Sequence, residues 1–519
     1  MEICADQSEV IGFLGRAASY GLTGTVERAE THGAIVFLAG DHAYKLKRAV
    51  RFPYMDYSTP EKRRAMCARE LEVNRDMAPE IYLEVRAIAR GGDGTLRFAK
   101  PNDPSALDWV VVMRRFEQQT LFGRMCEAGR LIPELMRALG ERLAAFHGAA
   151  DVMPGFGGAQ GIADVVNESV SLLGAAQESD IPAARVKALR ALSDAMLARV
   201  SPLLDARRDD GKVRRCHGDL HLDNVCLISG KPVLFDAIEF EDKFANIDVL
   251  YDLAFLLMDL DHHQARPLAS ALLNRYLECT RDYDGLAALP VFLSCRASIR
   301  AHVNLSRSET ATLERKAYLA ETRRYLDEAC AYLSPPTPRL IVAGGLSGTG
   351  KTTLARALAP RTGAAPGAMI LRSDVTRKQL MGVAETVRLS ESAYTPAVNR
   401  RVFAEMAALA ARILAAGHAV VMDAVYGTKD ERDEIEAVAA RANVKFDGLW
   451  LTADADILAL RIAARSGDAS DATVAVLKQQ LSAITAPQTW TIIDAGGTPA
   501  TIAEDAARRL NLLQTQGPD

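Results

Sequence analysis

Hydrophobic and polar residues follow different periods on the two sides of Phe116. Before it, apolar positions alternate with polar ones over short runs, which is the period of a strand. These runs predict strands over 35–38, 43–47, 81–88 and 109–113, with one helix over 60–74. After it, apolar positions recur at helical spacing, as in 132–147 and 185–204. The pattern therefore predicts a small β-rich lobe followed by a helical lobe, an α+β arrangement with a cleft between the lobes.

A second change of pattern follows the segment 334–338, which contains three prolines. Because proline cannot continue a helix, the helical pattern over 313–333 must end there. A buried-strand pattern over 340–343 comes directly afterwards. We therefore predict four parts: a β-rich lobe (1–116), a helical lobe (117–333), a proline-rich linker (334–338) and an α/β domain (339–519) with a parallel sheet flanked by helices.

The composition narrows the function classes. Hydrophobic residues make up 49% and charged residues 25% of the 519, which is typical of a soluble globular protein. The net charge of −4 provides no general attraction to nucleic acid or anionic membrane. The first residues lack a basic stretch, and the apolar runs are too short to span a bilayer, so we expect a cytoplasmic protein with no membrane partner. The eight cysteines form no C-x-x-C pair, so we expect reduced thiols.

The α/β domain begins with a phosphate-binding motif. Residues 345–352, G-L-S-G-T-G-K-T, match the P-loop pattern G-x-x-x-x-G-K-[ST] and lie between a predicted strand and a predicted helix. The glycines let backbone N–H groups surround phosphate oxygens. Lys351 is expected to reach the β- and γ-phosphates, and the Thr352 hydroxyl to bind Mg²⁺. The predicted ATP-binding residues here are Gly345, Ser347, Gly348, Thr349, Gly350, Lys351, Thr352 and Thr353.

Two further strands of this domain are predicted to end in an acid. Asp423 follows the strand over 419–422, where a carboxylate holds the Mg²⁺ shell; the alternative is a cap on the following turn. Asp374 ends the predicted strand over 369–374 and is placed to take a proton from a substrate hydroxyl; the alternative is a helix cap. Arg461 and Arg465 share one face of a predicted helix over 455–465, which suits either a lid over the phosphates or a solvated surface.

These residues resemble those of a known group of P-loop kinases. The phosphate-binding loop, Ser373-Asp374, Asp423 and the segment from Arg461 through Arg465 to Ser470-Asp471-Ala472 are similar to zeta toxins, gluconate kinases and chloramphenicol phosphotransferases. The resemblance covers 339–519. It implies a five-stranded parallel sheet of the nucleoside-monophosphate-kinase type, with Asp374 as base or substrate binder and the two arginines as a lid.

The first two thirds of the chain carry a second set of kinase residues. Residues 217–224, H-G-D-L-H-L-D-N, parallel the kinase pattern H-R-D-x-x-x-x-N. This spacing predicts that Asp219 faces the acceptor hydroxyl and that Asn224 turns to a metal ion. Asp236 ends a strand pattern over 232–235, at the position of the aspartate that chelates Mg²⁺ in protein kinases.

The upstream partners of such a site are also present. Lys45, on a predicted strand, is expected to bind the α- and β-phosphates, with Lys47 on the same face as the fallback. Glu70 on the helix over 60–74 is its expected ion-pair partner, with Glu72 as the alternative because one helix cannot aim both at one point. The strand over 109–113 ends at Met113 and leads into a predicted hinge against adenine.

This module resembles the aminoglycoside phosphotransferase family over roughly 25–330. The His-Gly-Asp triplet, the run 236–240 (D-A-I-E-F) and the segment from Asp248 to 251–254 (Y-D-L-A) carry the resemblance. It implies that Asp248 and Asp252 brace the catalytic loop. The chain departs from the pattern in lacking a G-x-G-x-x-G loop and in the residues after Asp236. The joined architecture resembles bifunctional aminoglycoside phosphotransferase/ATP-binding proteins.

The combined motifs predict a phosphotransferase with two active sites, each using ATP and Mg²⁺ on a hydroxyl group of a small molecule such as a metabolite, a sugar or an aminoglycoside-like compound. Two alternatives stay open: a P-loop kinase regulated by a substrate-binding pseudokinase module, and a nucleic-acid end kinase. The sequence does not indicate an oligomeric state.

Overall fold

The computed structural model describes residues 2–52, 54–177, 180–310, 313–464 and 469–512. The chain divides into two compact units, Met1–Ile162 with Leu204–Asp259, and Ala163–Leu203 with Leu260–Asp519. Within the described ranges, no helix combines the length and the apolar composition that crossing a membrane requires.

Over its described residues, the amino-terminal part of the first unit contains nine strands and two α-helices. These are β1 (Glu2–Ile3), α1 (Ser8–Leu14), β2 (Glu27–Glu30), β3 (Ala34–Ala39), β4 (His42–Lys47), β5 (Val50–Phe52), β6 (Met55–Asp56), α2 (Pro60–Arg75), β7 (Tyr82–Arg90), β8 (Leu96–Ala99) and β9 (Ala106–Arg114). Six strands form one antiparallel sheet in the order β2-β3-β4-β9-β7-β8. The Thr59 hydroxyl caps the start of α2 by accepting from the Lys62 N–H, and a proline follows in the first turn.

Successive side chains of β4 point to opposite faces of the sheet. Tyr44 and Leu46 pack with α1 on one face of the sheet, in a core that includes Phe13 and Phe37. Ala43 packs on the opposite face, in the core that includes Cys67 of α2. Since side chains alternate along a strand, the two lysines of β4 lie on the α2 face.

Helices dominate the middle of the chain, as predicted. The elements are α3 (Phe122–Glu127), α4 (Pro133–Ala149), α5 (Gly158–Gly174), α6 (Ala183–Asp209), β10 (Val213–Arg215), β11 (Val225–Ile228), β12 (Lys231–Leu234), α7 (Asp242–Ala245), β13 (Asn246–Asp248), α8 (Val249–His262), α9 (Arg266–Thr280), α10 (Leu289–Thr310) and α11 (Arg315–Tyr332). The antiparallel hairpin β11–β12 belongs to the first unit and directly follows residues 217–224, the predicted catalytic loop.

The last part of the second unit is a parallel sheet with helices, which confirms the predicted fold class. Its elements are β14 (Arg339–Gly345), α12 (Lys351–Leu358), β15 (Met369–Arg372), α13 (Ser373–Leu380), α14 (Pro396–Ala415), β16 (Val420–Asp423), α15 (Lys429–Arg441), β17 (Lys445–Thr452), α16 (Ala455–Ala463), α17 (Val474–Ala483), β18 (Thr491–Asp494) and α18 (Pro499–Arg509). The five strands are in the order β15-β16-β14-β17-β18, and each neighbouring pair is parallel.

At the free edge of strand β15, a side chain makes the backbone hydrogen bonds that a neighbouring strand would otherwise make. The Nδ2 of Asn274, on α9, donates to the Ala368 carbonyl at 3.2 Å, and its Oδ1 accepts from the Ile370 N–H at 2.7 Å. Asn274 is 8% exposed. One amide therefore satisfies a donor and an acceptor of backbone that an edge strand otherwise leaves without partners.

Two predicted boundaries in this sheet domain were wrong. The strand expected over 369–374 ends at Arg372, because its ladder with β16 stops where Arg372 pairs with Asp423, and helix α13 starts at Ser373. Asp374 therefore lies in the first turn of a helix. The helix expected over 455–465 ends at Ala463. Arg465 falls outside the described residues.

Candidate active sites

Glu70 of α2 lies between the two lysines of β4. Its Oε1 is 2.9 Å from Lys45 Nζ, and its Oε2 is 2.6 Å from Lys47 Nζ. Lys45 Nζ is also 2.5 Å from Asp236 Oδ1. The Glu70 side chain is fully buried, so its two charge-assisted hydrogen bonds form away from solvent, whereas the Asp236 side chain is 40% exposed. Lys45 is thus held between a helix carboxylate and the carboxylate predicted to bind a metal ion.

Lys47 makes a second buried ion pair that links β4 to the segment after Asp236. Its Nζ is 2.5 Å from Glu239 Oε1, and the Tyr57 hydroxyl donates to the same oxygen at 2.7 Å. Asn74 of α2 contacts this segment too, since its Oδ1 accepts from the Ala237 N–H at 2.8 Å. The helix, the strand and the segment 236–239 are therefore joined by one buried polar network.

The charges of this network raise the pKa values of its two lysines and lower the pKa of Glu70, which favours the charged form of all three groups. Burial alone would lower the pKa of Lys45, but the carboxylates of Asp236 and Glu70 raise it well above its ordinary value. The same balance, with Glu239 as the largest carboxylate contribution, raises the pKa of Lys47. Burial would raise the pKa of Glu70, and the two lysines outweigh burial and lower it.

The loop formed by residues 217–224 holds Asp219 and Asn224 together. Asn224 Nδ2 donates to the Asp219 carbonyl oxygen at 2.8 Å and to Asp219 Oδ2 at 3.2 Å. The Asp219 side chain is 43% exposed, so a substrate hydroxyl has access to it, whereas Asn224 is buried. These contacts bring the two motif residues together. The roles of Asp219 toward an acceptor hydroxyl and of Asn224 toward a metal ion stay predictions.

Asp252 of α8 fixes the start of this loop. Its carboxylate accepts from the backbone N–H of His217 at 3.1 Å and of Gly218 at 2.8 Å. The His217 ring donates from Nε2 to the Phe235 carbonyl at 2.8 Å, and burial lowers the pKa of His217, which keeps the ring neutral. Gly218 has φ +86°, and a Cβ there would lie 2.7 Å from the Phe244 carbonyl oxygen. These contacts assign His217 and Asp252 to support of the loop.

The donor set at the base of the β11–β12 hairpin fits a magnesium ion. Asn224 and Asp236 lie at the two ends of the hairpin, where the Phe235 N–H donates to the Asn224 carbonyl at 3.1 Å. Asp236 has φ +64°, a left-handed conformation that is uncommon outside glycine and occurs at functional sites. Carboxylate and amide oxygens are ligands that Mg²⁺ accepts.

The P-loop of the second unit brings its motif residues to Asp423. Gly345, Gly348 and Gly350 all have positive φ, which gives the loop its shape. The Thr352 hydroxyl donates to Asp423 Oδ2 at 2.6 Å. A hydroxyl and a carboxylate in contact at the end of a parallel strand also fit a magnesium ion.

Asp374 is half-buried and interacts electrostatically with Asp423 of this pair. Burial, and after it the charge of Asp423, raises the pKa of Asp374 above its ordinary value, while a hydrogen bond from Ser470 lowers it. The nearby Arg372 is 3.4 Å from Asp423 through Nε and 2.9 Å from Glu385 through Nη1. A carboxylate with a raised pKa close to a phosphate-binding loop suits a general base.

The tip of the P-loop is held from outside the motif. Leu346 packs against an apolar cluster formed by Leu458, Ile462 and Leu477 of α16 and α17. On the next residue, the Ser347 N–H donates to Gln480 Oε1 at 2.9 Å. Helix α17 therefore contacts the loop through both an apolar side chain and an amide.

Comparison with known proteins identifies two kinase-type domains in this chain. A family model described as "Phosphotransferase enzyme family" matches residues 56–289, and one described as "AAA domain" matches residues 340–487. The protein described as "Uncharacterized protein Rv2004c" from Mycobacterium tuberculosis is 31% identical over 458 residues, which cover 87% of this chain and 88% of that protein. "Uncharacterized protein Mb2027c" from Mycobacterium bovis has the same identity and coverage. The chain belongs to their family.

The matched domains of this family member are those expected from sequence: an aminoglycoside-phosphotransferase-like kinase module joined to a P-loop kinase domain. Two kinase-type domains imply phosphotransfer. Among solved structures, a choline/ethanolamine kinase family protein from Mesorhizobium loti is 16% identical, covering 60% of this chain and 92% of that chain with a TM-score of 0.37. A gluconokinase from Sinorhizobium meliloti is 22% identical, covering 35% and 99% with a TM-score of 0.25. Scores this low carry no weight for function.

Three of the predicted site residues have no described contact with the other residues of the two sites. Arg461 donates to the carbonyl oxygens of Ala495 at 2.8 Å and Gly497 at 3.3 Å, after strand β18. Met113 is buried in β9 opposite Ala43 of β4. Thr353 is exposed on the first turn of α12. The roles of these residues therefore remain predictions.

Three polar residues that sequence reasoning did not assign lie in these sites. Glu239 pairs with Lys47, and Gln480 contacts the P-loop. Glu385 bridges Arg372 and Arg275, at 2.9 and 3.0 Å. The only sequence signal for Glu239 was its place in the run after Asp236. Gln480 lies 133 residues from Ser347, and Glu385 lies 13 residues from Arg372 and 110 from Arg275. Neither residue belongs to a motif.

Proposed function

We propose that this protein is an ATP-dependent phosphotransferase with two active sites, each of which transfers the γ-phosphoryl group of Mg-ATP to a hydroxyl group of a small molecule. The first reaction is assigned to the module at 1–333 and the second to the domain at 339–519. The observation that carries the proposal is Lys45 held between Glu70 and Asp236. This contact supports the proposal of a nucleotide site in the amino-terminal module in addition to the P-loop.

At the first site, Lys45 binds the α- and β-phosphates while Glu70 fixes the lysine. Asp236 and Asn224 hold Mg²⁺, and Asp219 accepts the proton of the acceptor hydroxyl as the phosphoryl group moves. The exposure of the Asp219 carboxylate supports this role. Magnesium supplies charge neutralisation on the phosphates when it is bound.

At the second site, the P-loop amides and Lys351 bind the phosphates, and Thr352 with Asp423 holds Mg²⁺. Asp374 accepts the proton of the second acceptor. The raised pKa of the Asp374 carboxyl supports this assignment, because a carboxylate with a raised pKa is a stronger base than one with an ordinary pKa. Arg461 and Arg465 complete the site as phosphate-binding groups in this proposal.

Nucleotide stoichiometry tests the proposal directly. Isothermal titration of the full-length chain with a non-hydrolysable Mg-ATP analogue is expected to give two nucleotides per chain. Lys45→Met and Lys351→Ala are each expected to remove one of the two, because each deletes a charge-assisted contact of about 1.5–3 kcal/mol to the phosphates. One nucleotide per chain at saturation, unchanged by Lys45→Met, would contradict a first active site and favour a regulatory module.

A second experiment assigns a reaction to each site. Labelled ATP is incubated with a metabolite pool and with wild type, Asp219→Asn or Asp374→Asn. Each variant is expected to lose its own labelled product by about 10²–10⁴-fold, the usual contribution of a general base. Asp223→Asn is the matched control for the first site, since Asp223 lies in the same loop and is exposed. Undiminished products in both active-site variants would refute the assigned bases.

A further inference from the structure

The peptide group between Leu346 and Ser347 is bound at both of its ends. Lys351 Nζ lies 2.9 Å from the Leu346 carbonyl oxygen, and the N–H of the same peptide donates to Gln480 Oε1 at 2.9 Å. Lys351 belongs to the motif, whereas Gln480 stands on α17, 133 residues from Ser347. The lysine of the motif and an amide from outside the motif thus contact the same peptide of the phosphate-binding loop.

The position of this peptide indicates which phosphate lies near it. The lysine of a P-loop reaches the β- and γ-phosphates, so the peptide that Lys351 contacts marks the terminal end of a bound triphosphate. Gln480 contacts the other end of that peptide. Its amide therefore lies beside the place where a triphosphate and a diphosphate differ.

The chemistry of the amide suits a neutral contact with an anion. Oε1 accepts from the Ser347 N–H, and Nε2, bonded to the same carbon, carries two N–H donors. Because the loop fixes the acceptor oxygen, the rotation of the amide about its last bond is restricted. The two N–H donors of Nε2 therefore lie beside the loop, and the amide that carries them is uncharged.

Packing of α17 holds the amide in place. Leu477 is 1% exposed and packs in the cluster that contacts Leu346, and Gln480 follows it by three residues, on the same face of the helix. Gln480 itself is half-buried, while its neighbour Gln479 is exposed. The contact with Ser347 is therefore supported by a packed helix.

We propose that Gln480 is a specificity-determining residue of the P-loop site, which donates a hydrogen bond to the terminal phosphate of a nucleoside triphosphate and so favours it over the diphosphate. This inference rests on the proposed function, because it requires that the loop binds ATP. It adds a residue outside the motif to the groups that recognise the nucleotide.

Gln480→Glu provides the test. The carboxylate keeps the acceptor for the Ser347 N–H but replaces the donors with a negative charge. In isothermal titration, the binding step that Lys351→Ala removes is expected to weaken about tenfold or more for the non-hydrolysable ATP analogue and less than about threefold for ADP. Gln480→Met, which keeps the length but removes the amide, is expected to weaken ATP-analogue binding by about three- to tenfold and to leave ADP binding unchanged.

Gln479→Glu is the matched control, since it makes the same change on the exposed face and is expected to leave both affinities unchanged. Equal losses for ATP analogue and ADP in the two Gln480 variants, or no loss in either, would overturn the inference. If the wild type shows no Lys351-dependent nucleotide binding, the P-loop half of the proposed function fails, and the Gln480 proposal falls with it. The two failures are thus distinguished by the wild-type titration.

Discussion

Replacing Glu70 by glutamine is expected to destabilise the first unit strongly. The Glu70 carboxylate is 0% exposed and accepts from two lysines, at 2.9 and 2.6 Å. Glutamine keeps one acceptor oxygen, but its NH₂ group would face the other ammonium. Removing one partner from a buried ion pair costs about 3–5 kcal/mol. Since Lys45 retains Asp236 and Lys47 retains Glu239, we expect the lower end, about 3 kcal/mol.

Differential scanning calorimetry measures this loss. For a unit of this size, about 3 kcal/mol corresponds to a fall of roughly 6–12 °C in the melting temperature. The transition of the second unit is expected to stay in place. Hydrogen exchange of peptides from β4 and α2 identifies which transition belongs to the first unit, because their amides should exchange faster in the variant.

Glu72→Gln is the control, because it makes the same substitution two residues along α2. Glu72 is 67% exposed and pairs with Arg69 one turn away, an interaction worth about 0.2–0.5 kcal/mol. Its melting temperature is expected to fall by about 2 °C or less. If Glu70→Gln falls no further than Glu72→Gln, the reasoning from the shared buried carboxylate is refuted.

Two further predictions concern pH and backbone conformation. Burial lowers the pKa of His418 to about 4, against about 6.5 in an unfolded chain. The contribution of the neutral His418 ring to the free energy of unfolding is therefore complete above pH 6.5 and is lost as the pH falls toward 4. His418→Gln is expected to remove an acid-side loss of up to roughly 3 kcal/mol, seen as a flatter melting temperature between pH 7 and 4.5; an unchanged acid slope would contradict this. Gly218→Ala forces a Cβ to within 2.7 Å of the Phe244 carbonyl oxygen and is expected to lower kcat at the first site by about 10–100-fold. Gly230→Ala is its control, because Gly230 also has positive φ but open space around it, and equal losses in both variants would exclude the clash as the cause.

Local motifs accounted for most of what the sequence predicted about the sites. The P-loop glycines, Lys351 and Thr352 are neighbours in the chain, and the loop 217–224 has a fixed spacing, so their geometry follows from short-range constraints. The strand that ends in Asp423 was predicted because its apolar run is continuous and bounded. These features depend on few residues and on known backbone geometry.

Ion pairs between residues far apart in the chain could not be predicted from the pattern of hydrophobic and polar residues. Lys47 is 23 residues from Glu70 and 192 from Glu239, and both distances along the chain are closed only by tertiary packing. The sequence ranked Lys45 above Lys47 but offered no reason for two buried lysines to share one carboxylate. The sequence placed Asp374 at the end of a strand, because residue propensity does not show where the pairing between two strands stops. In the structure the pairing of β15 with β16 stops at Arg372 and Asp423, so Asp374 lies beyond the strand.

The amide of Asn274 has a practical consequence for dividing the protein. A fragment that starts after the proline-rich segment 334–338 would leave α9 behind and uncover the Ala368 carbonyl and the Ile370 N–H along β15. A bare sheet border of this kind recruits strands from other molecules. A fragment cut within residues 334–338 is therefore expected to aggregate more readily than the intact chain, because the helix that satisfies the border of its sheet precedes the cut.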